Sequence, residues 1–124
     1  MKSDTLTGCY QVTNSVQPVK LTVTISNGQN AISKLMLNDQ VLPGPESDGS
    51  FVRSFERILG TNNELIGKRL KMTTLVLNKK ENIDRTSLII SLTGGVTVYA
   101  QKMEQKVPEK GGVVKYTVSI KFYG

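Results

Sequence analysis

The chain has 124 residues, enough for one domain that folds without disulfide or metal staples and too few for a second independent core. Hydrophobic residues make up 38% and aromatic residues 6%, with no Trp, so the core must be built from Leu, Ile, Val, Met and a few Tyr and Phe, a palette that favours strands. Sixteen Lys and Arg against ten Asp and Glu give a net charge of +6, which attracts anionic polymers and membrane surfaces without specifying one, while the complete absence of His excludes Ser-His-Asp and Cys-His nucleophiles, a histidine base and histidine metal sites.

From the N-terminus, "LTGC" at 6–9 resembles the lipobox of bacterial lipoproteins, in which a small residue precedes the lipidated cysteine at the cleavage point. The five residues before it, "MKSDT", supply one Lys and no apolar run of the kind a lipoprotein signal carries. The sequence leaves open whether a signal was removed upstream of Cys9, and no compartment is assigned. Cys9 is the single cysteine, which rules out an intramolecular disulfide, and without a histidine partner it reads as an inert thiol.

Leu21, Val23 and Ile25 alternate with Lys20, Thr22, Thr24 and Ser26, the period of a half-buried strand. A turn follows at "SNGQN", 26–30, and a loop at "PGPESDGS", 43–50. Glu46 and Asp48, like Glu81 and Asp84 further on, are close enough for an acid/base pair or a calcium loop, but both pairs lack the ligand spacing of an EF-hand and read as solvated turn residues. In "SFVRSFERILG", Phe51, Phe55, Ile58 and Leu59 fall at i, i+4, i+7 and i+8, with Ser50 placed as N-cap and Gly60 beyond the C-terminus, which predicts a short helix near 50–59.

After "GTNNE" at 60–64, a strand is expected from 68 to 77, with Arg69 and Lys71 facing water and Leu70 and Met72 facing the core. Alternation fails at Leu75, Val76 and Leu77. The loop "NKKENIDR", 78–85, leads to Leu88, Ile90 and Leu92, which alternate with Ser87, Ile89 and Ser91. "SLTGGVTVYA", 91–100, lacks the Lys-Ser/Thr of a P-loop, and its glycines read as a turn. "PEKGG", 108–112, predicts a hairpin pairing 96–107 with 113–123. In the last strand Val114, Tyr116, Val118, Ile120 and Phe122 share a face against Val113, Lys115, Thr117, Ser119 and Lys121. The sequence contains no internal repeat, low-complexity tract or linker, and no apolar run approaches the roughly 18 residues of a transmembrane helix, so the chain is expected to be soluble.

These elements predict an all-β fold: an antiparallel β-sandwich of about 7–9 strands, formed by residues 1–124 as a single domain. A Greek-key barrel gives the same alternation and turn spacing. From "LGTNNELIGKRLKMTTLVLN" to "SLTGG" the cadence resembles small bacterial β-sandwich modules, immunoglobulin-like or C2-like, a resemblance that implies a fold and no function.

The leading functional expectation is a non-enzymatic structural or protein-interaction module, needing no cofactor and binding a protein partner or a second copy. Its signature would be an exposed apolar strip, from an outward Val113 beside Tyr99 or Tyr123, or from Leu75 to Leu77; a covered central strand explains the latter equally well. The alternative is binding of nucleic acid, acidic polysaccharide or phospholipid headgroups through Lys68, Arg69, Lys71, Lys79, Lys80 and Arg85. These six divide between the start of one strand and the loop beyond its end, about 30 Å apart, and no aromatic residue interleaves with them for base stacking. A third reading, an enzyme, requires a carboxylate- or lysine-based site.

Overall fold

The computed structural model describes residues 2–26, 29–79, 85–107 and 111–124. In chain order these form β1 (Lys2–Gln11), β2 (Pro18–Ile25), β3 (Asn30–Leu37), β4 (Gln40–Leu42), β5 (Phe51–Val52), β6 (Phe55–Thr61), α1 (Asn62–Leu65), β7 (Arg69–Leu77), β8 (Arg85–Thr93), β9 (Tyr99–Lys106) and β10 (Val113–Tyr123). Sheet A runs β1-β10-β7-β3-β4, with β5 also paired to β3; sheet B runs β6-β2-β8-β9. The fold is an all-β sandwich of two sheets. Every pairing is antiparallel except that of β1 with β10.

The core lies where period-2 faces meet. Val114, Tyr116, Val118, Ile120 and Phe122 of β10 are fully buried, as are Leu21 and Val23 of β2 and Leu88, Ile90 and Leu92 of β8. The inward face of β7 adds Leu70, Met72, Thr74 and Val76, so the strand expected at 68–77 keeps its alternation to the end, and Leu75 and Leu77 point outward. Several buried polar groups pair with one another, as a low-dielectric interior favours: the Ser33 and Thr74 hydroxyls lie 2.7 Å apart across the β3–β7 ladder, and the Tyr116 hydroxyl donates to Thr86 O at 2.9 Å.

The short helix near 50–59 is corrected: 51–52 and 55–61 are strands, and α1 begins at Asn62. The helical spacing of the two phenylalanines arises because the chain changes sheets between them. β5 pairs with β3 in sheet A and β6 with β2 in sheet B, while Arg53, at φ +60°, breaks the extended backbone in between. Phe51 and Phe55 then stack at 4.4 Å between centroids, one from each sheet. Arg57 shares the face of Phe55 and is half-buried on the edge strand β6.

The hairpin across 108–112 is also corrected. β9 belongs to sheet B and β10 to sheet A, where both edges of β10 are occupied by β1 and β7. Pro108 to Lys110 fall outside the described residues, but Gly111 and Gly112 are fixed by Asn78: Gly111 N donates to Asn78 O at 2.7 Å and Asn78 N donates to Gly112 O at 2.9 Å. A Pro- and Gly-rich reversal sets the direction of the chain, and in a sandwich that reversal can carry it into the opposite sheet.

"LTGC" lies within β1, with Leu6–Cys9 registered against Val118–Lys121. Cleavage before Cys9 would remove most of a strand that pairs along its whole length.

Candidate interaction surface

Sheet A presents its outer face through the outward positions of β1, β10, β7 and β3. Cross-strand register arranges these side chains in rows about 6.7 Å apart along the strands. At one end, Leu77 lies between Asn30 and Val113; in the next row Val52, Ile32, Leu75 and Lys115 follow one another across four strands. Ile32, Leu75 and Val52 keep 49%, 40% and 39% of their surface exposed, although each belongs to an ordered ladder. Together with Leu77 and Val113 they line a groove of about 510 Å³.

The rim of this groove is polar. Arg53 closes one side and Glu46, from the loop between β4 and β5, stands over it. That loop is tied to itself: Gly44 N donates to Gly49 O at 2.8 Å, and Gly49 N to Glu46 O at 2.9 Å. Asp48 accepts from Ser50 N at 3.0 Å and from the Ser50 hydroxyl at 2.6 Å. These bonds, the hydroxyl first, hold the Asp48 carboxyl below its usual range, and Lys34 acts in the same direction. Asp48 is therefore a turn residue, as the sequence suggested; Glu81 and Asp84 fall outside the described residues.

Towards the other end the face becomes basic. Lys34, Thr73, Thr117 and Thr5 form one row, Met36, Lys71, Ser119 and Thr7 the next, and Arg69 with Lys121 and Cys9 the last. The outward positions of β1, β3, β7 and β10 thus hold Lys34, Arg69, Lys71, Lys115 and Lys121 and no carboxylate. Asp39, in the turn between β3 and β4, is 3.9 Å from Lys71, and Glu46 and Asp48 stand in the loop between β4 and β5. Arg69 donates to the Ser119 hydroxyl at 2.8 Å and Lys121 to Gly67 O at 2.6 Å, bonds that fix their heads over the sheet and leave most of their donors for other partners. Among the described residues no carboxylate lies within ion-pair distance of Arg69, Lys115 or Lys121.

The outer face of sheet B contrasts with this. Lys20 pairs with Glu56 at 3.3 Å, while Glu104 accepts from Arg85 at 2.6 Å and pairs with Lys102 at 3.3 Å. The Arg85 and Lys102 contacts hold the Glu104 carboxyl below its usual range. Charges there are mixed, and its exposed apolar side chains, Ile58 and Ile89, lie on non-adjacent strands.

The described members of the six basic residues singled out in the sequence do not form one patch. Arg69 and Lys71 share the outer face of sheet A, with half-buried Lys68 just before β7. Lys79 is exposed beyond the far end of β7, Arg85 opens β8 in sheet B, and Lys80 falls outside the described residues. What accompanies Arg69 and Lys71 is Lys34, Lys115 and Lys121, from strands the sequence does not place beside β7. Of the expected apolar strip, Leu75, Leu77 and Val113 meet as neighbours; Val76 points into the core. Tyr99 lies instead on β9, edge-on to Tyr10 at 6.4 Å, and Tyr123 at the opposite end of β10.

Comparison with protein-family models, curated proteins and solved structures finds no match. No helix among the described residues is long and apolar enough to cross a membrane.

Proposed function

We propose that this chain is a non-enzymatic protein-interaction module whose binding surface is the outer face of sheet A. The observation that carries the reading is the groove of Ile32, Val52, Leu75, Leu77 and Val113. Five apolar side chains from four strands are held in register on a face whose other positions are nearly all polar, and a contiguous, partly exposed patch of this kind with a polar rim is typical of a contact surface. Its volume lies within the range of about 300–1,000 Å³ over which concave sites accept an anchoring group.

The test uses a library of random peptides displayed on phage and selected against the intact chain. Peptides enriched on the wild type should lose roughly tenfold or more in affinity for Ile32→Ser/Leu75→Ser, and none for Ile89→Ser on the opposite sheet. Selection of nothing, or of peptides indifferent to the first variant, would refute the proposal.

A second reading, attraction of an anionic polymer or headgroup surface, draws support from the single sign of charge on the strands of the same face. It requires retention on heparin that falls steeply between about 50 and 200 mM salt and that is reduced by Lys71→Gln/Lys121→Gln. Retention that ignores salt contradicts it.

A further inference from the structure

Resting on the reading of sheet A as a protein-binding face, we infer that the partner contributes an extended acidic segment: one apolar side chain seated between Ile32, Leu75 and Val113, and carboxylates at every second position beyond it, running along β7 towards Arg69 and Lys121.

In an extended chain, side chains on one face recur every second residue, about 6.7 Å apart, the same interval as the ladder rows of a sheet. From Leu75 to Arg69 is six residues, about 20 Å. A segment aligned with β7 and anchored by its apolar residue in the groove therefore sets its second, fourth and sixth following positions over successive rows. Those rows carry Lys34, then Lys71, then Arg69 with Lys121, while Lys115 stands beside the anchor. The cations are thus spaced for an alternating acidic sequence, whereas an acidic helix would repeat on one face every three to four residues.

Charge then chooses among the occupants. A second copy in the same orientation would bring Lys115, Lys71, Arg69 and Lys121 against their own likes, and opposed like charges disfavour association. A phosphate polymer meets the cations but leaves the apolar groove unfilled, and among the outward positions of β1, β3, β7 and β10 the only aromatic platform for a base is Tyr123, at the end remote from the groove. An acidic segment with an apolar anchor satisfies both ends of the face at once. The edge of β3 beside the groove is already occupied by β4 and β5, so recognition runs through side chains on the face and not through an added strand.

Fluorescence anisotropy tests this with the full chain and fluorescein-labelled synthetic peptides. The probe is Phe-Ser-Glu-Ser-Glu-Ser-Glu; its comparators place Lys at every Glu, put the three Glu residues next to one another, or replace Phe by Ser. The alternating acidic peptide should bind at low salt and weaken as salt rises. Each comparator should bind roughly tenfold or more weakly, and Lys71→Gln/Lys121→Gln should erase the advantage of Glu over Lys. Equal binding of the Glu and Lys peptides, with both still lost in Ile32→Ser/Leu75→Ser, would overturn the acidic partner while sparing the groove. Indifference of every peptide to Ile32→Ser/Leu75→Ser would remove the underlying reading as well. A short single-stranded DNA that displaces the probe and whose own binding is unaffected by Ile32→Ser/Leu75→Ser would replace the acidic segment by an anionic polymer.

Discussion

Asn62, fully buried at the start of α1, bonds three separate segments together through its side chain. Its Oδ1 accepts from Thr13 N at 3.0 Å, and its Nδ2 donates to Gln17 O at 2.7 Å and to Gly94 O at 2.9 Å. It therefore pins the β1–β2 connection and the β8–β9 turn to the end of β6. Three bonds at a net of about 0.5–1.5 kcal/mol each place the cost of Asn62→Ala at about 3 kcal/mol. Part of that is the Thr13 amide losing its acceptor, whereas Gln17 O keeps its bond from the Asn62 backbone amide at 2.9 Å. With a urea m-value of about 1.5 kcal/mol/M, that loss lowers the midpoint by about 2 M at unchanged slope. Asn62→Asp should be no better, because a carboxylate sets an acceptor in place of the donating amide nitrogen against the carbonyls of Gln17 and Gly94. Asn63→Ala, at the exposed neighbour, should move the midpoint by less than about 0.5 M. A comparably small shift for Asn62→Ala would refute the assignment of these bonds.

Gly94 sits at φ +100°, and a Cβ there would collide with Pro18 O; Gly94→Ala should cost about 1–3 kcal/mol in urea unfolding, and a neutral effect would contradict the close approach. Burial raises the pKa of Tyr116 above 10.0, so its contribution to stability is fully present below pH 10 and is lost as the pH rises further, because the unfolded chain loses that proton first. Tyr116→Phe should flatten this alkaline loss, read from urea midpoints between pH 9 and 11, while costing about 1 kcal/mol near pH 7 through the lost bond to Thr86. Asp48, Glu64 and Glu104 are held below their ordinary values of 3.8, 4.5 and 4.5, chiefly by hydrogen bonds from Ser50, Thr61 and Arg85. Their contribution is present above those values and is lost as the pH falls through the depressed ones; Ser50→Ala should shift the acid limb of the midpoint curve upward in pH, and an unmoved limb would count against the Asp48 bond.

The legible parts of the fold are those where one face is buried and the other wet. β10, β2 and β8 could be read residue by residue because core packing enforces period 2 on each. The helical reading of 50–59 failed because the spacing of Phe51 and Phe55 records a change of sheet, a long-range event that local periodicity does not encode. The hairpin at 108–112 failed for a related reason: Gly111 and Gly112 turn the chain onto Asn78 and into the other sheet. In the candidate surface, Leu75, Leu77 and Val113 stood out through broken alternation or an outward apolar residue. Ile32 and Val52 carried no such signal, since their role depends on the register of β3 against β7 and β5. The same holds for the charges: sequence proximity grouped Arg69 with Lys79 and Arg85, whereas strand order groups it with Lys121 and Lys115.

Chemical-shift mapping of the ¹⁵N-labelled chain, titrated with peptides selected on the wild type, addresses the central claim most directly. Binding at the outer face of sheet A predicts saturable shifts at the amides of Ile32, Val52, Leu75, Leu77 and Val113, extending along β7 towards Lys71 and Arg69, with β2, β8 and β9 unmoved. Shifts confined to sheet B, or centred on Ile58 and Ile89, would contradict it.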